Sequence, residues 1–183
     1  MTKSSPSKDN FKAKKTHTIE TRIAIVAARW NSNITDNLVE GAQIVLRNAG
    51  VHKKNIDLFR VPGAFELPLA CQKIAQKKSA VSVSNESKHT NTYDGIIALG
   101  CVIRGGTPHF DYICKETSRG LGEVALKNNI PVGFGLLTTD DSEQAVYRSY
   151  VKNPDTAISP LYSNKGKEAA DAVLEMINLF RDL

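Results

Sequence analysis

Residues Gly95 to His109 read GIIALGCVIRGGTPH. The run from Gly95 to Val102 is apolar, small or β-branched without alternation, the pattern of a strand covered on both faces. A polar, glycine-rich break follows: Gly105 and Gly106 free the backbone, Thr107 is a good N-cap, and Pro108 suits the first helical position. A helix from about Pro108 to Asn128 is therefore expected, and a doubly covered strand that turns into a helix is half of a parallel βαβ unit.

The same unit recurs on either side. Arg22 to Ala28 (RIAIVAA) reads as a second buried strand, and Asn33 can cap a helix that carries Ile34, Leu38, Val45 and Leu46 on one stripe and stops at Gly50. Ile56 to Val61 is a strand, Pro62 to Ala64 a turn, and the helix from about Phe65 to Ala75 tolerates Pro68 in its first turn. Lys77 to Thr92, rich in Ser, Lys and Asn, reads as an exposed loop. Val132 to Leu137 is the last strand; a short helix from Ser142 to Tyr150, an irregular stretch from Val151 to Ser163 and a helix near Lys165 to Phe180 complete the chain. Four strand-then-helix units predict an α/β protein of three layers, a flavodoxin-like parallel four-stranded sheet with helices on both faces.

Composition agrees with one domain. The 183 residues are 41% hydrophobic and 23% charged, which excludes wholesale disorder and a disulfide-knotted miniprotein. No apolar run approaches the ~18 residues of a membrane span. The net charge of +5 is concentrated: Lys3, Lys8, Lys12, Lys14 and Lys15 against Asp9 place +4 in the first fifteen residues. Residues 1–18 are expected to be a basic, disordered tail, without the character of a secretory or transit signal, and 19–183 one domain; neither a nucleic-acid nor a membrane partner is expected. Cys71, Cys101 and Cys114 form no CxxC pair and predict free thiols in a reducing, cytoplasmic setting. His17, His52, His89 and His109 lack metal-ligand spacing, so no metal is expected.

Ligands of such sheets sit beyond the carboxyl ends of the strands. After the first strand comes Trp30, a flat platform for a heterocycle or, equally, core filler. After the second come Gly63, Ala64, Phe65 and Glu66: a second ring, and a carboxylate that can accept hydroxyl hydrogens or merely cap a helix. After the third, Gly105 to Pro108 outline an anion site at a helix N-terminus, with His109 beside it to exchange protons near neutral pH. Arg148, ending a helix, is a phosphate clamp or a cation compensating the helix dipole. There is no Walker loop, and the GxG of Gly133 and Gly135 lies inside a strand and carries little meaning. The residues imply a small phosphorylated substrate beside a heterocycle.

In order, ARWN (Ala28 to Asn31), VPGAFELP (Val61 to Pro68), LGCVIRGGTPHFDYIC (Leu99 to Cys114), FGLLTTDDSEQAVYR (Phe134 to Arg148) and NKG (Asn164 to Gly166) resemble the lumazine synthases. The resemblance implies a cofactor-free condensation in riboflavin biosynthesis, of 5-amino-6-(D-ribitylamino)uracil with 3,4-dihydroxy-2-butanone 4-phosphate. On it, Trp30 stacks on the pyrimidine, Asn31, Ala64 and Glu66 hold the ribityl chain, Phe65 lines the site, and the backbone at Val102 and Ile103 reads the pyrimidine edge. Gly106, Thr107 and Arg148 hold the phosphate, and His109 shuttles protons. It further implies a homopentamer with sites shared between subunits, Phe134, Arg148 and Lys165 reaching in from the neighbour.

The chain departs from the family pattern in three places. Trp30 stands where many members carry Phe, enlarging the stacking surface for flavin-like products, and the connections at Lys77 to Thr92 and between Arg148 and Lys165 are longer than usual. With Pro154 and Pro160, the second insertion is expected to obstruct packing into a shell, leaving pentamers or at most pairs of pentamers. A non-catalytic flavin or lumazine carrier and a shell protein of the same fold are the competing readings. Retention of both His109 and Arg148 speaks against the carrier.

Overall fold

The computed structural model describes residues 20–83, 86–151 and 162–183. Chain order is β1 (Ile23–Ala28), α1 (Ser32–Asn48), β2 (Ile56–Val61), α2 (Leu67–Ala75), β3 (Lys78–Val83), β4 (Glu86–Asn91), β5 (Gly95–Ile103), α3 (His109–Asn128), β6 (Val132–Thr139), α4 (Ser142–Arg148) and α5 (Lys165–Asp182). The four apolar runs pair in parallel in the order β2-β1-β5-β6. Alternate residues of β1 and β5 serve two cores. Ile23, Ile25, Ile97 and Leu99 pack with Leu38 and Leu46 of α1 and Val173 of α5, whereas Ala24, Val26, Ile96 and Ala98 pack with Leu67 of α2 and Leu121 of α3. Both faces are dry, so neither strand shows polar alternation, and each fully buried Ile or Leu contributes roughly 1.5–3 kcal/mol. The expected three-layer architecture is the one found.

The α5 layer lies unusually close to its neighbours. A Cβ on Gly133 would stand 2.5 Å from the Ala169 carbonyl oxygen, one on Gly166 would fall onto the Leu38 carbonyl, and one on Gly41 onto the Asn164 side chain. The GxG of β6 is thus a seat for α5. Asn164 is buried at this crossing: its Nδ2 donates to the carbonyls of Asn37 (3.0 Å), Ser149 (3.1 Å) and Tyr150 (3.3 Å), while its Oδ1 accepts from the Lys167 N–H (3.1 Å). One amide therefore joins α1, the exit of α4 and the start of α5.

Several expectations need correction. Lys77 to Thr92 is not an irregular loop, for β3 and β4 pair antiparallel from Lys78↔Asn91 to Val83↔Glu86. The Ala80 to Val83 segment carries two valines around a serine, a strand pattern that the surrounding Ser, Lys and Asn obscured. Helix α1 begins at Ser32, with Asn31 as its cap rather than Asn33; Asn31 is left-handed (φ 56°), a conformation that Asn tolerates better than most residues. Residues Ala64–Glu66 form a 3₁₀ turn before α2. Helix α3 begins at His109 after Pro108, and no side chain caps it, Thr107 included. Helix α4 stops at Arg148 because Ser149 pairs with Asn164 and the Tyr150 N–H donates to the Ser163 carbonyl at 3.0 Å. The basic tail and residues 152–161, with Pro154 and Pro160, lie outside the described residues.

Gly166→Ala should lower stability by about 1–3 kcal/mol, since backbone must move to admit the methyl. Gly122→Ala, at an α3 position with nothing within 4 Å of the new Cβ, should raise it by about 0.5–1 kcal/mol. Urea midpoints of the two variants check the pair, and an unchanged midpoint for Gly166→Ala would mean that the crossing relaxes freely.

Candidate functional site

After β1 the chain builds β2 on one side and then, through α2 and the hairpin, returns to the other side as β5. At such a reversal the connections leave a crevice beyond the carboxyl ends of the strands. Asn31 closes its floor by donating Nδ2 to the Cys101 carbonyl at 2.9 Å, which ties the loop after β1 to β5.

The first wall comes from the loops after β1 and β2. Arg29 and Trp30 extend the ladder by donating their N–H groups to the carbonyls of Val61 and Pro62, at 2.8 and 3.1 Å. The indole lies against Gly63, where a Cβ would stand 2.7 Å from its Cε3, and Trp30 is 67% exposed. Core filler is excluded, and the ring stands open at the mouth of the crevice. Gly63 donates its N–H to Glu66 Oε2 at 2.9 Å, so the carboxylate is oriented by the turn it belongs to. Phe65 is exposed, whereas Ala64 is buried and its carbonyl accepts from Thr117 Oγ1 of α3 at 3.3 Å.

The opposite wall is the exit of β5. Pairing between β1 and β5 ends at Ala27↔Leu99, while β5 remains paired with β6 to Ile103↔Thr139. Backbone groups alternate sides along a strand. Cys101 faces β1 and is taken by Asn31, and Arg104 donates to Thr139 on the β6 side at 2.9 Å. The Ile103 N–H and carbonyl thus face the crevice, flanked by the half-buried Val102. Beyond them Gly105 and Gly106 have nothing within 4 Å of a Cβ position, and Thr107 and His109 are exposed at the uncapped start of α3. Open amides at the positive end of a twenty-residue helix suit an anion.

The remaining predicted residues lie elsewhere. Phe134 is half-exposed on edge strand β6, opposite Ala98 and five residues before Thr139, hence roughly 16 Å below the strand ends. With Lys165, Ala169 and Met176 it lines a groove of about 310 Å³. The Ser149–Asn164 bridge sets Arg148 and Lys165 immediately beyond its two ends. Lys165 Nζ pairs with Glu168 at 2.5 Å, and Arg148 Nη1 donates to the Gln144 carbonyl at 3.2 Å. One chain thus gathers Trp30, Asn31, Ala64, Phe65, Glu66, Val102, Ile103, Gly106, Thr107 and His109 around the crevice, and leaves Phe134 and Lys165 on its flank. Sequence reasoning passed over Arg104, whose partners Asp111 and Asp140 come from two different elements. It also passed over Thr117, which no motif marks.

The cysteine beneath the crevice is no nucleophile. Burial, with the neighbouring Cys114 thiol, pushes Cys101 up to about 11, and burial pushes Cys71 up to about 12. Among the described residues no three His, Cys, Asp or Glu side chains gather to hold a metal, and no helix is long and apolar enough to cross a membrane.

A family model described as 6,7-dimethyl-8-ribityllumazine synthase matches residues 20–181. A protein of Desulfovibrio desulfuricans named 6,7-dimethyl-8-ribityllumazine synthase is 46% identical over 162 residues, 88% of this chain and 90% of the relative. One of Nitratidesulfovibrio vulgaris (strain DP4), with the same name, is 44% identical over the same shares.

Thiols with raised pKa stay protonated at pH 8 and react slowly. Iodoacetamide at that pH should leave Cys71 and Cys101 unlabelled until the protein is unfolded. Rapid native labelling of Cys101, read by peptide mass, would show that the floor of the crevice opens.

Proposed function

The chain belongs to the 6,7-dimethyl-8-ribityllumazine synthase family, and from that premise we propose that its crevice joins 5-amino-6-(D-ribitylamino)uracil to 3,4-dihydroxy-2-butanone 4-phosphate, releasing inorganic phosphate and two waters. The observation that carries this reading is the exposed Trp30 ring on Gly63, in the same crevice as the uncapped start of α3. A pyrimidine stacked on Trp30 can have its edge read by the free backbone of Ile103 beside Val102. The ribityl hydroxyls then fall to Asn31, the Ala64 turn and the oriented Glu66 carboxylate, with Phe65 along the rim. The phosphate sits on the amides of Gly106 and Thr107. That places the ketone beside His109, which takes and returns protons as the amine forms an imine, phosphate leaves and the second ring closes. The reactants carry their own nucleophile and electrophile, so most of the acceleration comes from holding them together.

The separation of Phe134 and Lys165 from the crevice supports sites shared between subunits. In a homopentamer of the α/β unit over 19–183, a neighbour's flank would supply Phe134, Arg148 and Lys165, the arginine clamping the phosphate and the ring closing over the pyrimidine.

Mixing the two substrates with protein should produce lumazine fluorescence without added metal, nucleotide or flavin; its absence would leave a carrier or a shell protein. His109→Ala should lower kcat by up to about 10²-fold. Arg148→Ala should chiefly raise KM for the phosphorylated substrate, with that for the pyrimidine little changed. Co-assembling these two variants should restore part of the activity, because some mixed interfaces carry both wild-type residues. No recovery in verified mixed oligomers would place the whole site in one chain.

A further inference from the structure

An arginine directly before an anion-binding loop invites assignment as a phosphate ligand, and Arg104 stands in that place before Gly105, Gly106 and Thr107. Its guanidinium is committed elsewhere. Nη1 donates to both carboxylate oxygens of Asp111, in the first turn of α3, at 3.1 and 3.3 Å. Nε donates to Asp140 Oδ1, just past β6, at 3.0 Å, and the guanidinium carbon stands 4.1 Å over the Phe110 ring. With two carboxylates on its one positive charge, the Arg104 side chain is already matched and has little charge left to offer a phosphate.

A Cβ on Gly105 or Gly106 would meet nothing within 4 Å, so neither position is packed by a neighbour on that side, and contacts that can set the loop lie at its two ends. At one end the Arg104 N–H continues the β5–β6 ladder to the Thr139 carbonyl; at the other, Asp111 is drawn back onto the same arginine. The side-chain link closes a ring over residues 104–111 that contains the anion loop and His109. Exposed ion pairs are individually weak. A forked guanidinium that engages two carboxylates and stands over a buried ring nevertheless fixes direction as a single pair does not.

We propose that Arg104 is a positioning residue for the condensation, joining the ends of β5, β6 and α3 so that the Gly106 and Thr107 amides and the His109 imidazole face the phosphorylated substrate at a set angle. This rests on the activity proposed above.

Arg104→Met, Asp111→Asn and Asp140→Asn test it together. Positioning requires all three to move the same way. KM for the dihydroxybutanone phosphate should rise about tenfold in Arg104→Met and less in each Asn variant, with kcat lowered and KM for the pyrimidine changed less than about twofold. The Arg104→Met/Asp111→Asn double variant should be no worse than Arg104→Met alone. Amide hydrogen exchange should quicken at 105–110 in Arg104→Met while β1 amides are unchanged. Should that variant not assemble, Arg104→Lys, which keeps the charge and loses the fork, takes its place. A lower KM for the phosphorylated substrate in the Asn variants would make Arg104 a direct ligand and overturn the proposal, as would unaltered exchange at 105–110. Wild-type protein that forms no lumazine would remove the proposed reaction, and exchange would then decide alone whether Arg104 holds the loop.

Discussion

The reversal of strand order at β1 is the constraint on which the rest of the molecule depends. Since β2 lies on one side of β1 and β5 on the other, the loops that follow these strands diverge and cannot close over the sheet. The opening is bridged by the Asn31 amide on the Cys101 carbonyl and, deeper, by the Thr117 hydroxyl on the Ala64 carbonyl. The first of these bonds explains why Asn31 occupies a left-handed conformation instead of capping α1 with its side chain. Trp30 is thereby turned outward, while Thr35 Oγ1 of α1 donates to the Ala28 carbonyl at 2.9 Å and seals the buried side of the same corner.

Glycine serves opposite ends on the two sides of the sheet. At Gly41, Gly133 and Gly166 the missing side chain admits other atoms, and α5 is pressed against α1 and β6 with Asn164 locked between them. At Gly105 and Gly106 nothing fills the space, and the backbone is left facing solvent at a helix start. The first arrangement draws the start of α5 and the exit of α4 onto α1; the second leaves the backbone bare at a helix start. Gly63 combines both uses, since its bareness lets the indole lie flat while its N–H orients Glu66.

Electrostatics around the crevice follow the same division. The guanidinium of Arg104, which opens the 104–109 loop, is engaged by Asp111 and Asp140, so the positive end of α3 is left to its backbone dipoles. Arg148 ends a short helix beside the Asn164 junction. Its guanidinium donates to the Gln144 carbonyl of its own helix, whereas that of Arg104 meets two carboxylates.

Much of this was legible in the sequence because the signals are local. Apolar runs, glycine and proline breaks and a 3.6-residue stripe marked the four parallel strands and the major helices, and several of the residues after the strands come together in one crevice. The hairpin of β3 and β4 was not legible, because its two short strands lie in a Ser-, Lys- and Asn-rich stretch whose composition reads as a loop. Nor were the ends of α1 and α4, where Asn31 donates to the Cys101 carbonyl and Ser149 pairs with Asn164. Only the tertiary structure could show Trp30 exposed over Gly63 instead of buried in the core, Gly133 and Gly135 as a seat for a helix, and Arg104 as bound to two carboxylates. Each of those outcomes depends on atoms of another element, brought close by the fold, and pattern along a chain carries information about its own segment rather than about which segment will face it.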